Sequence, residues 1–370
     1  MDSIQELIEI SRHYGSDPSY VIAGGGNTSF KDEERIWIKA SGIPLAGIKK
    51  SGFVCLSRQK LSEIEENSYS EDPVSREEQV KKDLAKAILS PRSLRPSVET
   101  SLHNLIDYAY VVHTHPTLIN AVMCANGAKE EVEKRFGTQA LYVEYTDPGY
   151  ILFKKLQAEI LSYRQRFRSE PRIIFLQNHG VFVGANSTTE VKKIYDSVVF
   201  RIQEGKDLGL PDARMEEYQS ETSSLVSDFY APRELQSKAF KSPLSDHFAS
   251  GRETYQTISK PLTPDIIVYC KSNYLFLEKH VSSKELGDKL QEFEKTHAYY
   301  PKVIVEETGG LIITEENKKS VHTVLEVFTD MMKISFLSEQ FGGPHYMSRE
   351  QIRFIDHWEV ENYRRSVAKS

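Results

Sequence analysis

Two histidines, His113 and His115, stand two residues apart in the run YVVHTHP, and a third, His179, lies in QNHGVFVG. The first run reads as a short strand ended by Pro116. Alternate residues of a strand share a face, so both imidazoles point the same way and can chelate one metal ion without any loop rearrangement. His179 falls in the predicted turn between two strands of PRIIFLQNHGVFVG, where an imidazole can be presented into a cleft. Three nitrogen ligands leave one coordination position open, the pattern of a catalytic rather than a structural zinc site. Imidazole sites also accept cobalt, nickel or iron. Taken by spacing alone, a pair of ordinary hydrogen-bonded histidines fits the same residues.

Glu99 lies in RPSVETSLHNLIDYA, which reads as a helix leading directly into the histidine strand, with Ser97 as N-cap and Glu99 in the first turn. A carboxylate there either moves protons at the neighbouring site or stabilises the helix terminus by about 0.3–1 kcal/mol. The glycines of VIAGGGNTSF and of ASGIP let backbone N–H groups approach anionic oxygens, or simply permit sharp turns. Cys55, Cys124 and Cys270 lack the spacing of a thiolate cluster or a disulfide framework, so a metal must rest on nitrogen and oxygen ligands. Cys124 reads as a buried helical cysteine, and His103 and His322 as makers of ordinary hydrogen bonds.

VVHTHP and QNHGVFVG are similar to the metal motifs of the class II aldolase and adducin family, and GGGNTS and SGIP match two further segments of that family in the expected order. Within it, the first 225 residues look most like the aldolase half of the bifunctional rhamnulose-1-phosphate aldolase/alcohol dehydrogenases, with a weaker likeness beyond. The resemblance implies zinc, or another divalent transition metal, on His113, His115 and His179. It implies Glu99, through the match RPSVET, as the acid/base residue. Gly26, Asn27, Thr28 and Ser29 resemble one substrate-contacting turn, Ser41 and Gly42 a second, and Ser97 a further anion contact. The implied substrate is a sugar or sugar phosphate such as a rhamnulose-1-phosphate-like ketose, cleaved at C3–C4 to dihydroxyacetone phosphate and an aldehyde. The metal polarises the carbonyl, while Glu99 protonates carbon in cleavage and takes the proton back in condensation.

One departure concerns the phosphate. Family members often place two serines before the glutamate, whereas this chain has Ser97–Val98–Glu99, and valine offers no hydroxyl. Lys39, Arg92 or Arg95 could supply the missing contact, although a strand lysine more often faces solvent. For the base acting on the C4 hydroxyl, Tyr346 and Tyr363 are the candidates, and WEVENYRR either covers a neighbour's cleft or forms a solvated terminal helix. Epimerases, dehydratases and decarboxylases share the scaffold. An adducin-like binding protein is expected to have lost part of the histidine set. The family also implies a homo-oligomer. No glycine-rich dinucleotide fingerprint follows, so no nicotinamide cofactor is expected.

The elements that must position these residues mix helices and strands without the regular alternation of a nucleotide-binding fold. The expectation is an α/β protein: a class II aldolase-like layered α/β/α domain over 1–225, a connecting segment over 226–260, and a smaller α/β domain over 261–370. MDSIQELIEISRHYG predicts an amphipathic helix with Ile4, Leu7, Ile8 and Tyr14 on one face, and NSTTEVKKIYDSVVFRIQEG a second helix capped by Ser187 or Thr188. Residues 59–90 read as exposed loop and helix, and 206–260 as mainly connection. RIIFLQNHGVFVGANSTTEVKKIY, from Arg172, and KVIVEETGGLIITEENKKSVHTVL, from Lys302, share a strand–turn–strand–helix register. That is either a degenerate repeat or a chance match of common units. Gly180 falls opposite Gly310, and His179 opposite Gly309.

Composition narrows the class. With 39% hydrophobic and 27% charged residues, the 370-residue chain suits a soluble globular protein. A formal charge of −6 provides no general field for nucleic acid. Neither a signal-peptide core nor an apolar span of roughly 20 residues is present, so no membrane partner and a cytoplasmic location are expected.

Overall fold

Strands of alternating burial and helices with one apolar stripe build two units in the computed structural model, which describes residues 2–279 and 281–357. The first unit comprises the chain to Met123 with Ala128–Lys206, and the second Cys124–Gly127 with the residues from Asp207 onward.

The first unit is built on eight strands: β1 (Asn27–Lys31), β2 (Arg35–Lys39), β3 (Phe53–Ser57), β4 (Ile88–Ser90), β5 (Tyr110–Thr114), β6 (Ala140–Val143), β7 (Ile173–Leu176) and β8 (Gly180–Ala185). They form one sheet in the order β4-β3-β2-β1-β5-β8-β7-β6. Every neighbouring pair is antiparallel except β6 and β7. Val111, Ile174, Leu176 and Phe182 face the helix Tyr150–Phe167, which buries Leu152, Phe153, Leu156 and Ile160 among them. On the opposite face Thr114 hydrogen-bonds Tyr195 of the helix Thr188–Gln203, and the helix Ser3–Gly15 packs against β1. Helix, sheet and helix therefore stack as the expected layered α/β arrangement. Ile4, Leu7, Ile8 and Tyr14 of the first helix are buried as the apolar spacing predicts, and Ser187 is the N-cap of Thr188–Gln203.

Two stretches differ from expectation. Residues 59–90 carry helices Arg58–Glu66 and Pro73–Ala87, whose Leu61, Ile64, Val80 and Leu84 are buried against Ile36, Ile38, Val54 and Leu56. Their many charges occupy the outer face and mask a sparse apolar stripe. Residues 206–260 are not mainly connection. They hold β9 (Glu216–Tyr218), the helix Glu221–Tyr230 and β10 (Gln236–Lys241). With β11 (Leu275–Leu277), β12 (Val303–Glu306) and β13 (Gly310–Glu315), these strands form the second unit's sheet in the order β11-β12-β13-β10-β9. Val226, Tyr230, Leu286, Leu290, Ile304 and Ile312 pack together on one face of it.

Lys31 shows how the first sheet holds its cover. Its buried ammonium donates to the carbonyl of His103 at 2.7 Å and to that of Ile106, closing the C-terminal end of the helix Thr100–Leu105. Burial, with Arg58 nearby, pushes the Lys31 pKa down to about 7. The unfolded chain, with lysine near 10.4, binds more protons than the folded one between these values, so this residue makes stability rise with pH above about 7. Lys31→Met should flatten the increase in unfolding free energy between pH 7 and 9, as measured by urea denaturation. An unchanged slope would remove Lys31 as its source.

Candidate metal centre

Three neighbouring strands converge on the site. Asn27 of β1 lies opposite His113 of β5, and His113 lies opposite Phe182 of β8. His113 shares the face of Val111 and is fully buried, with its ring stacked on Phe182 at 4.1 Å. Its Nδ1–H donates to the Val181 carbonyl at 3.0 Å, which leaves the Nε2 lone pair as the ligand atom. His115 stands one residue beyond β5, its backbone N–H donating to Tyr20 at 3.1 Å.

His179 sits in the turn between β7 and β8. There Asn178 takes a left-handed φ of 53° and donates its N–H to Met123 at 3.0 Å, while the Asn120 side chain donates to the His179 carbonyl at 3.2 Å. A Cβ on Gly180 would lie 2.5 Å from the Thr114 carbonyl oxygen and 2.8 Å from His115 Cδ2. Glycine is therefore what lets the turn close against the histidine strand. The ligand nitrogens of His113, His115 and His179 all lie within 4.8 Å of one another.

Glu99 departs from its expected place. The helix begins at Thr100 and Glu99 occupies its cap position without a capping hydrogen bond, so Ser97 is not the N-cap. The Ser97 hydroxyl instead accepts from the Glu99 N–H at 3.2 Å and from Asn27 Nδ2 at 3.3 Å. Freed from the helix end, the buried carboxylate turns toward the imidazoles. Oε2 accepts from Asn27 Nδ2, whereas Oε1 is 3.5 Å from both His113 Nε2 and His179 Nε2 and has no hydrogen-bond partner. Burial pushes this carboxyl up, but His113, His179, the Asn27 amide and His115 together outweigh it and hold the pKa down to about 2. Burial drives His113 well below the usual imidazole range despite Glu99. The buried carboxylate oxygen without a hydrogen-bond partner lies beside the three imidazoles, and this donor set is capable of coordinating a divalent cation.

His103 has a larger part than its sequence context suggests. It is fully buried, with Nδ1 2.7 Å from the Ser29 hydroxyl and Nε2 against Asn27 Oδ1. Because Asn27 Nδ2 faces Glu99, its Oδ1 must accept, so His103 Nε2 carries the proton and Nδ1 accepts from Ser29. Burial pushes its pKa down to about 3, which keeps the ring neutral. A directed chain thus runs Ser29, His103, Asn27, Glu99. The signal available in sequence was spacing: His103 lies one helical turn after Glu99 and shares its face.

The anion-side residues are only partly gathered. Asn27 and Ser97 contact Glu99 directly and Ser29 reaches it only through His103 and Asn27, whereas the Thr28 hydroxyl lies on the other face of β1, 2.6 Å from Ser11. Gly26 adopts φ 66° where a Cβ would be 2.8 Å from the His113 carbonyl oxygen. Ser41 donates its N–H to the Arg95 carbonyl at 2.8 Å, beside the Ala40–Pro96 bridge, and Gly42 takes φ 81°. Lys39 is buried rather than solvent-facing, and its ammonium donates to the carbonyls of Ile43 at 3.0 Å and Gly24 at 3.5 Å. It thereby ties the two glycine turns together. Arg92 is exposed. In the second unit the Tyr346 hydroxyl donates to Gln256, while Tyr363 and WEVENYRR lie outside the described residues. Cys124 is buried just past the end of the helix Thr117–Met123, and His322 is a surface partner of Glu326.

Residues 5–203 match the Class II Aldolase and Adducin N-terminal domain. In Bacillus subtilis (strain 168), the uncharacterized oxidoreductase YuxG is 31% identical over 212 residues, covering 55% of this chain and 29% of that protein. The chain thus spans under a third of that relative's length. A methylthioribulose-1-phosphate dehydratase of Leptospira biflexa serovar Patoc is 25% identical over 225 residues, covering 54% of this chain and 95% of the dehydratase. Among solved structures, the N-terminal class II aldolase domain of a conserved protein from Thermoplasma acidophilum aligns with a TM-score of 0.46 and 26% identity, over 55% of this chain and 93% of that one.

Gly180→Ala should force the turn away from His115. The expected loss is roughly 1–3 kcal/mol of stability together with weaker cobalt(II) binding, read by urea unfolding and visible titration. Wild-type values for both would contradict the close-approach role.

Proposed function

Because the chain belongs to the class II aldolase and adducin N-terminal domain family, we propose that it is a metal-dependent aldolase acting on a ketose 1-phosphate similar to rhamnulose-1-phosphate. The observation carrying this reading is the buried Glu99 Oε1, without a hydrogen-bond partner and 3.5 Å from two of three clustered imidazoles. His113, His115 and His179 would hold a divalent ion, zinc by ligand preference, which supplies Lewis acidity toward a carbonyl oxygen.

Glu99, kept ionised, is set to remove a proton from the carbon of the triose half in condensation and to return it to C3 once the C3–C4 bond has broken. Asn27 holds that carboxylate in place through Nδ2, and His103 holds Asn27. The glycine turns at Gly26 and Gly42, tied by Lys39, are offered as the anion-binding side, with the Lys39 charge in the role that Val98 cannot fill. We assign this chemistry to the first unit, whose last residue is Lys206 rather than 225.

A second reading, dehydration of a ketose phosphate, has support in the likeness to a methylthioribulose-1-phosphate dehydratase along nearly all of that protein's length. The two separate by product. Metal-loaded protein is expected to cleave rhamnulose-1-phosphate or fuculose-1-phosphate into triose phosphate and aldehyde, to lose this on chelation, and to work more slowly on the unphosphorylated ketoses. Glu99→Gln should lower turnover by ~10²–10⁴. Loss of water from methylthioribulose-1-phosphate, with no cleavage of any ketose, would replace the aldolase reading.

His103→Ala should retain its metal yet lose about 10–100-fold in kcat, partly restored by His103→Gln, whose amide can still donate to Asn27. A drop in Tm with kcat unchanged would make His103 a packing residue only.

A further inference from the structure

The second unit repeats the site-bearing half of the first strand for strand. In the first, β6 pairs parallel with β7, β7 antiparallel with β8, β8 with β5 and β5 with β1. In the second, β11, β12, β13, β10 and β9 follow in that order with the same directions. The registers agree as well. His113 lies opposite Phe182, the third residue of β8, and Ala239 lies opposite Ile312, the third residue of β13. Asn27 lies opposite His113, as Tyr218 lies opposite Ala239.

Backbone exceptions recur too. Asn178 and Thr308 take φ 53° and 62° in the equivalent turns, and Arg168 and Ala298 take φ 54° and 63° at the ends of the preceding helices. A β-branched threonine rarely adopts that conformation, so the turn imposes it. A Cβ on Gly310 would meet the Phe240 carbonyl oxygen and Lys241, in the places where Gly180 would meet those of Thr114 and His115.

These registers assign the counterparts of the three histidines and of Asn27. Ala239 stands for His113, Lys241 for His115, Gly309 for His179 and Tyr218 for Asn27. The vacated space is filled from within. The Tyr218 hydroxyl donates to the Gly309 carbonyl, with the Lys241 ammonium 5.7 Å from its ring centroid. Glu306 accepts from Thr222, and its carboxylate lies where a side chain at position 309 would begin.

We propose that the second unit is a duplicate of the metal-bearing half, its ion position closed by Tyr218 and Glu306, so that each chain binds one metal ion. This rests on the reading that His113, His115 and His179 bind metal. Metal analysis and cobalt(II) titration of the full chain should find one equivalent, and none in His113→Ala/His115→Ala. An equivalent surviving in that variant would overturn the proposal. A wild-type chain that binds none would fail the first-unit reading instead, and a rebuilt site then decides. In the His113→Ala/His115→Ala background, Tyr218→Asn, Glu306→Leu, Ala239→His, Lys241→His and Gly309→His together should restore one cobalt with the visible absorption of a tetrahedral site. A folded rebuilt chain that takes up no cobalt would overturn the shared geometry. The stoichiometry arm stands whether or not the rebuilt chain folds.

Discussion

The Glu99 carboxylate is almost fully removed from water, and one of its oxygens has no hydrogen-bond donor. Leaving a buried charged acceptor unsatisfied costs more than the roughly 1–3 kcal/mol of a neutral one, so the surrounding structure must either neutralise the group or offset it. Much of the first unit can be understood as that offset. Asn27 commits its amide to Oε2, His103 fixes the amide's orientation, Ser29 fixes the tautomer of His103, and Lys31 closes the helix that carries both Glu99 and His103. The remaining oxygen is left to the three imidazoles, and a cation among them would satisfy it.

Sheet order makes this possible. Asn27, His113 and the turn bearing His179 come from β1, β5 and the β7–β8 connection, which are adjacent only because β5 lies between β1 and β8. Antiparallel pairing then sets Asn27 directly across from His113, and strand alternation sends His113 toward the helix face while Thr114 goes to Tyr195 on the other. The glycine at 180 allows an approach between the turn and the histidine strand that a Cβ, 2.5 Å from the Thr114 carbonyl oxygen, would block.

The second unit separates scaffold from chemistry. The same strand order, registers and left-handed turn persist where every ligand has been exchanged, and a tyrosine with a glutamate occupies the space. A backbone frame of this kind is held by its ladder and apolar faces. The residues at its site can therefore change without unmaking the fold.

Local pattern alone determined a good deal here. The period of the first helix, the histidine pair on one face, the turn at Asn178–Gly180 and the recurring strand–turn–strand–helix register are all short-range features, and they read correctly because neighbouring residues define them. The family motifs pointed to the same histidines and to Glu99. Tertiary structure alone decided what depends on partners distant in sequence. It buried Lys39, which as a strand lysine would ordinarily face solvent, and Lys31, because carbonyls of separate turns and of a helix end accept from their ammonium groups. It turned Thr28 toward Ser11 and away from the site, and moved Ser97 from helix cap to Asn27 partner. It also made strands of residues 216–218 and 236–241, polar segments whose strand state comes from pairing with each other and, for the second, with β13. Lys39 apart, whose bonds reach only Ile43 and Gly24, the deciding contacts lie 17 to 77 residues apart, beyond a short window of local sequence.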